Sequence, residues 1–183
     1  MGDSLTAGYG LKEDQAYPTL LQNQFENEKI PVQILNGGVS GDTTAGGLRR
    51  LGWMIKKSSP DWVIIALGGN DMLRGLSPKK TKENLKEMIR EAKKAKIKVA
   101  VLGIDAPTSL GAHYSKDFDR IFEELEREEK IPVMKNYIQS VVGKIEMNLT
   151  DRIHPNAKGQ EKLAEEIFKF LYPLVKKTER SSP

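Results

Sequence analysis

The chain has 183 residues, of which 38% are hydrophobic and 30% charged, and its formal net charge is +4. These values are typical of a soluble folded domain, and the intermixed Lys and Glu predict a solvated surface rather than a nucleic-acid groove. The absence of cysteine excludes disulfides, thiol nucleophiles and thiolate metal ligands.

Predicted helices and strands alternate along the chain. Helix 17–27 comes first, and nearly continuous apolar runs of strand length follow at 32–35, 62–67, 99–104 and 132–134. Amphipathic patterns lie between and after these runs, with apolar positions that share one face (Leu48, Leu51, Ile55; Leu85, Met88, Ile89, Ala92; Phe118, Ile121, Phe122, Leu125; Leu163, Ile167, Phe170, Leu171, Leu174). Strands that are apolar on both faces predict a parallel sheet covered by helices. We therefore predict one α/β domain over residues 1–175 and a disordered polar tail over 176–183.

Two glycine-rich segments follow predicted strands, at 37–42 and at 68–71. Ligands of parallel α/β sheets bind where the strands end, so these segments are candidates for a site. Segment 37–47 lacks the lysine and the spacing of a phosphate-binding loop, and the two histidines of the chain form no metal-binding motif. No cofactor and no metal are predicted.

Three polar residues suggest nucleophilic catalysis. Ser4 lies in a Gly-Asp-Ser-Leu tetrapeptide and is either a helix cap or a nucleophile. Asp151 precedes His154 by three residues, so its carboxylate can accept the Nδ1 proton and leave Nε2 to activate a serine. In the alternative interpretation Asp151 caps a turn and His154 is exposed. The other histidine, His113, is predicted to lie on the surface.

Acyl transfer also requires donors for the developing oxyanion. Gly41 can bring its backbone N–H close to a substrate because it has no side chain, and Asn70 offers an amide from the end of the next strand. The alternative for the glycine-rich turn is simple backbone geometry.

Four blocks of sequence occur in a fixed order: GDSLTAGYG, NGGVSGDTTAGGLRRL, WVIIALGGNDMLRG and DRIHPNAKG. Through these blocks the chain resembles the SGNH (GDSL) hydrolase family, in particular its bacterial acyl-CoA thioesterase/lysophospholipase/arylesterase branch. The resemblance extends from residue 2 to about residue 175. It implies a three-layer α/β/α sandwich around a five-stranded, flavodoxin-like parallel sheet.

The resemblance also implies a role for each of five residues. Ser4 would be the nucleophile and, through its own N–H, the first oxyanion donor, with Gly41 second and Asn70 third. His154 would be the general base and then the general acid, and Asp151 would orient it. The implied activity is that of a cofactor-free serine esterase or thioesterase. The alternatives are a carbohydrate or peptidoglycan O-acetylesterase and a non-catalytic lipid- or glycan-binding relative.

Segment 105–117 resembles the mobile substrate loop of this branch. We expect four apolar residues either to form a wall for the acyl chain or to serve as packing residues: Met72, Leu73, Pro107 and Leu110. The expected partner is a small-molecule acyl ester or thioester, with neither nucleic-acid binding nor stable membrane insertion, and we expect a monomer.

An apolar strand precedes the Gly-Asp-Ser motif in the family, whereas only Met1 precedes it here. We therefore expect a truncated first strand and a natural protein that extends upstream; an inactive fragment is the alternative. The chain as given would be cytoplasmic, and an upstream signal peptide would make it periplasmic or secreted.

Overall fold

The computed structural model describes residues 1–179. Its helices are α1 (Ser4–Ala7), α2 (Tyr17–Asn27), α3 (Thr44–Ser58), α4 (Gly69–Leu73), α5 (Pro78–Lys94), α6 (Ala112–Glu129) and α7 (Ala157–Glu179), and its strands are β1 (Trp62–Ile65), β2 (Lys98–Leu102) and β3 (Val133–Met134). Short 3₁₀ turns lie at Glu13–Gln15, Thr108–Leu110 and Ile145–Met147. The chain forms two compact units, one of Met1–Asp3 with Val39–Asn136 and the other of Ser4–Gly38 with the residues from Tyr137 on.

The first unit contains a parallel sheet in the order β1-β2-β3. The beginning of the chain lies beside β1, where Gly2 forms a parallel bridge with Ala66. The Ala66 N–H donates to the carbonyl oxygen of Met1 at 2.9 Å, and the Val39 N–H donates to the carbonyl oxygen of Gly2 at 3.0 Å. Met1 and Gly2 are thus held by backbone hydrogen bonds beside β1.

Helices α5 and α6 bury the faces that their apolar periodicity predicts. All eight predicted positions are buried (Leu85, Met88, Ile89, Ala92, Phe118, Ile121, Phe122 and Leu125). On the outside, Lys82 of α5 forms ion pairs with Glu124 and Glu128 of α6, at 2.6 and 2.8 Å. The intermixed charges therefore serve a solvated helix surface, as predicted.

The second unit is built on α2 and α7, which pack against each other. The rings of Phe25 and Phe168 meet edge to face with centroids 4.8 Å apart. The Tyr17 N–H at the beginning of α2 donates to the Gln160 side-chain oxygen at 2.9 Å. The predicted helix 17–27 and the predicted final helix are both confirmed.

The prediction of a strand at 32–35 is wrong. The Gln22 side-chain amide donates to the Val32 carbonyl at 3.0 Å, and its oxygen accepts the Ile34 N–H at 2.7 Å. A helix side chain thus satisfies backbone groups that a neighbouring strand would otherwise bind. The part of the chain that the structure describes has three named strands rather than five, and the α/β class with a parallel sheet flanked by helices is confirmed.

The end of the chain also differs from the prediction. Helix α7 continues to Glu179, so residues 176–179 are helical, whereas a disordered tail was predicted from 176. The rest of that predicted tail, 180–183, lies outside the described residues, and the single domain over 1–175 stays a prediction. Among residues 1–179 no helix is long and apolar enough to span a membrane.

Candidate active site

The loop before α7, at 148–155, belongs to the second unit and has its ends joined by an antiparallel bridge. The Leu149 N–H donates to the carbonyl oxygen of His154 at 2.7 Å, and the Arg152 N–H donates to that of Leu149 at 2.9 Å. Arg152 has a left-handed φ of 61°, which is uncommon for a residue with a side chain. This closed turn brings Asp151 and His154 together.

Asp151 accepts three hydrogen bonds within that turn. Its Oδ1 accepts the backbone N–H groups of Ile153 and His154, both at 2.9 Å, and its Oδ2 lies 2.7 Å from His154 Nδ1. The bond from the His154 N–H, then that from Ile153, and then the contact with the imidazole lower the pKa of Asp151 to about 2. The carboxylate is therefore ionised at neutral pH and can hold the imidazole in the tautomer that carries its proton on Nδ1.

The opposite nitrogen of the same imidazole faces the serine. His154 Nε2 lies 2.9 Å from Ser4 Oγ, which is a hydrogen-bond distance. With the Nδ1 proton held by Asp151, Nε2 can accept the proton of the hydroxyl. Ser4 is buried, and it is the first residue of α1, so its backbone N–H has no acceptor within the helix. The structure thus joins Ser4, His154 and Asp151 in one hydrogen-bonded chain.

Helix α1 has only four residues and is held by side chains from outside it. The Gln160 amide donates to the Leu5 carbonyl at 3.1 Å, and the Asn36 amide donates to the Thr6 carbonyl at 2.9 Å. The Thr6 and Tyr17 hydroxyls are 2.7 Å apart. Because so short a helix cannot hold its own shape, these contacts fix the backbone from which Ser4 projects.

Two of the three predicted oxyanion donors, Gly41 and Asn70, belong to the first unit. Gly41 has a left-handed φ of 78°, and its carbonyl oxygen accepts a hydrogen bond from Arg74 at 2.8 Å. The Asn70 side-chain amide donates to the Asp42 carbonyl at 2.9 Å and lies 3.5 Å from Asp3 Oδ2. Both donors are therefore held by contacts within that unit.

Comparisons with known proteins show the family to which the chain belongs. The model of the GDSL-like lipase/acylhydrolase family matches residues 1–162. The chain belongs to this family. It is 36% identical over 175 residues to "Esterase TesA" of Pseudomonas aeruginosa, covering 96% of this chain and 87% of that protein. It is 34% identical to "Thioesterase 1/protease 1/lysophospholipase L1" of Escherichia coli K12, covering 96% of this chain and 83% of that protein.

A solved structure supports the fold as well as the family. The crystal structure of TesA has a TM-score of 0.91 with this chain at 36% identity, covering 94% of this chain and 96% of the other. The resemblance to the SGNH (GDSL) hydrolases is therefore confirmed, and so is the prediction of a hydrolase that acts on acyl esters.

The residues predicted to form an acyl-chain wall differ in exposure. Met72 is buried, which fits the packing alternative, whereas Leu73 and Leu110 are 57% and 39% exposed. Pro107 is exposed as well. His113 lies on the surface with its side chain 91% exposed, as predicted, and contacts Asp117.

Asp71 is a buried residue whose importance sequence analysis missed. Its carboxylate accepts the backbone N–H of Thr44 at 2.8 Å and the Thr44 hydroxyl at 2.5 Å, with the Thr81 hydroxyl at 3.3 Å. It thereby links the residue after Asn70 to the beginning of α3. The only sequence signal was an Asp beside a candidate donor. Within residues 1–179, no cluster of three or more His, Asp or Glu side chains could hold a metal ion.

Proposed function

We propose that this GDSL-family hydrolase is a serine esterase and thioesterase that works through an acyl-enzyme. The observation that carries the proposal is the hydrogen-bonded chain from Asp151 through His154 to Ser4, with distances of 2.7 and 2.9 Å. A hydroxyl that is hydrogen-bonded to an oriented imidazole is the arrangement that nucleophilic acyl transfer requires.

The first half-reaction forms the acyl-enzyme. Ser4 Oγ attacks the carbonyl carbon of the substrate while His154 Nε2 takes the hydroxyl proton. The tetrahedral intermediate then collapses, and the imidazolium returns that proton to the leaving alcohol or thiol. Asp151 remains ionised throughout and stabilises the imidazolium.

In the second half-reaction the same residues activate a water molecule, which hydrolyses the acyl-enzyme. His154 takes a proton from a water molecule that attacks the acyl-enzyme, and it then returns this proton to Ser4 Oγ as the carboxylic acid leaves. We propose that the Ser4 N–H, the Gly41 N–H and the Asn70 amide stabilise the oxyanion in both steps. These roles are implied by the family, and the left-handed turn at Gly41 and the restrained amide of Asn70 support them.

We propose arylesters, acyl-CoA thioesters and lysophospholipids as the substrate classes. The named activities of the Pseudomonas aeruginosa and Escherichia coli relatives include esterase, thioesterase and lysophospholipase. The exposed apolar side chains of Leu73 and Leu110 and the exposed ring of Pro107 are suited to contact an acyl chain. The monomeric state stays a prediction.

A substrate panel tests the proposal. Wild type and Ser4→Ala are assayed on p-nitrophenyl esters from acetate to palmitate, acyl-CoA thioesters, a lysophospholipid and acetylated sugars. We expect wild type to hydrolyse the esters and thioesters, and Ser4→Ala to lose several orders of magnitude in rate. Activity confined to acetylated sugars would establish the O-acetylesterase instead, and no activity on any substrate would favour a binding protein.

A further inference from the structure

We propose that Tyr9 is a positioning residue that acts through His154: its ring holds the imidazole in place and stabilises the imidazolium formed during acyl transfer. This inference rests on the proposed function. The two rings are in contact, with centroids 4.5 Å apart and planes inclined by 37°. Tyr9 lies five residues after the proposed nucleophile, although its ring packs against a loop near the other end of the chain.

The contact originates in the way α1 ends. Gly8 has a left-handed φ of 74°, and the Tyr9 N–H donates to the carbonyl oxygen of Ser4 at 3.0 Å. A left-handed glycine followed by this backbone bond is a Schellman motif, which terminates the helix. Ser4 is therefore linked to the base both directly and through Tyr9. Its hydroxyl lies within hydrogen-bond distance of His154 Nε2, and its carbonyl oxygen binds the backbone N–H of Tyr9, whose ring contacts the imidazole.

The turn that carries Tyr9 is tightly packed on both sides. A Cβ on Gly8 would lie 2.7 Å from Ala16 Cβ, and one on Gly10 would lie 2.9 Å from Leu149 Cδ1. Leu149 also donates its backbone N–H to the carbonyl oxygen of His154. The backbone on each side of Tyr9 therefore cannot move far, and this fixes the ring beside the imidazole.

The aromatic ring rather than the hydroxyl makes the contact. Among residues 1–179 the Tyr9 hydroxyl has no hydrogen-bond partner, and Tyr9 is 52% exposed, whereas the His154 side chain is only 20% exposed. The π face of an aromatic ring attracts a cation. Acyl transfer converts the imidazole of His154 into an imidazolium near the transition state. The Tyr9 ring therefore stabilises the transition state relative to the resting enzyme.

Two side chains of the second unit bind the nitrogen atoms of the imidazole. The Asp151 carboxylate binds Nδ1 and the Ser4 hydroxyl binds Nε2, and the guanidinium of Arg152 belongs to an exposed residue in the same turn. The two nitrogen atoms are thus already bound, which leaves the face of the imidazole as the surface for Tyr9. A substitution at Tyr9 should therefore change the behaviour of the base without removing any hydrogen bond of the triad.

The test compares Tyr9→Leu with the matched control Tyr9→Phe. Leucine keeps apolar bulk without the π system, whereas phenylalanine removes only the unpartnered hydroxyl. We expect Tyr9→Leu to lower kcat and kcat/KM together by about two- to fivefold with KM unchanged. Tyr9→Phe should match wild type.

The proposal is overturned if Tyr9→Leu matches wild type in rate, or if Tyr9→Phe loses as much as Tyr9→Leu. NMR of the His154 ring protons separates this failure from failure of the proposed function. If the ring contact holds, Tyr9→Leu shifts these resonances and Tyr9→Phe leaves them nearly unchanged. The same result is expected when each substitution is combined with Ser4→Ala, which removes the proposed nucleophile. Unchanged resonances in Tyr9→Leu would overturn the positioning role whatever the enzyme hydrolyses.

Discussion

Asp151 binds His154 at two points, accepting its backbone N–H at Oδ1 and facing its imidazole Nδ1 at Oδ2, at 2.9 and 2.7 Å. One carboxylate therefore fixes both the backbone and the ring of the proposed base. Both contacts are possible because His154 comes three positions after Asp151, and the turn folds the chain back onto the carboxylate.

Asp151→Asn should reduce kcat by about 10³–10⁴ without unfolding the protein. The amide oxygen of asparagine can still accept the two backbone N–H groups, so the turn survives. Its NH₂ group would face Nδ1, which favours the tautomer with the proton on Nε2, and that nitrogen could then no longer accept the Ser4 proton. Aryl-ester turnover measures the loss, and circular dichroism with thermal melting controls for folding. A loss below tenfold would contradict the role of Asp151.

The titration of Asp151 provides a test that needs no substrate. Because its hydrogen bonds lower its pKa to about 2, the carboxylate should stay ionised as the pH falls and become protonated only near pH 2. Asp151 therefore does not produce any loss of activity seen between pH 4 and pH 7. ¹³C NMR of the labelled carboxyl carbon measures the midpoint. A midpoint at 3.8, the ordinary pKa of an aspartate side chain, would show that the three hydrogen bonds are not formed in solution.

Asn70→Ala should lower kcat by about 10²–10³ with KM little changed, because an oxyanion donor acts mainly in the transition state. The amide also donates to the Asp42 carbonyl, so the measurement requires a control for local structure. Arg74→Ala removes the hydrogen bond to the Gly41 carbonyl instead and provides that comparison. Equal modest losses in both variants would indicate that Asn70 only supports the loop.

Two glycine-to-alanine substitutions test the packing beneath Ser4. A Cβ on Gly38 would lie 2.3 Å from the backbone nitrogen of Ala7 in α1, whereas one on Gly52 would have no heavy atom within 4 Å. We expect Gly38→Ala to lower both the free energy of unfolding, by about 1–3 kcal/mol, and kcat, because α1 must shift. Gly52→Ala lies within helix α3 and should instead stabilise the protein by about 0.5–1 kcal/mol. Urea denaturation measures both, and equal effects would show that Gly38 is not tightly packed.

Sequence periodicity predicted those helices and strands whose apolar pattern matches the backbone structure that forms. Helix α2 has the predicted bounds, and the two long strands differ from prediction by at most two residues at each end. The failure at 32–35 has a specific cause, since an apolar run predicts a strand only if a neighbouring strand binds its backbone. Here the Gln22 amide binds the backbone of Val32 and Ile34, and no local pattern reveals such a contact.

The candidate site likewise contains some residues that the sequence revealed and others that it did not. Ser4, Asp151 and His154 were identifiable because their chemistry appears in short motifs. Asp71 and Tyr9 were missed because their importance depends on what they contact. Asp71 lies 27 residues from Thr44 in sequence, and Tyr9 contacts a histidine from the opposite end of the chain. Composition and spacing carry no information about either contact.

The central claim is that Ser4 is the nucleophile activated by His154. The most direct test is to treat wild type, Ser4→Ala and His154→Ala with a fluorophosphonate and to locate the adduct by peptide mass spectrometry. We expect one adduct on Ser4 in wild type, none in Ser4→Ala, and greatly slowed labelling in His154→Ala. An adduct on another residue, or labelling of Ser4 at the same rate without His154, would contradict this account of the enzyme.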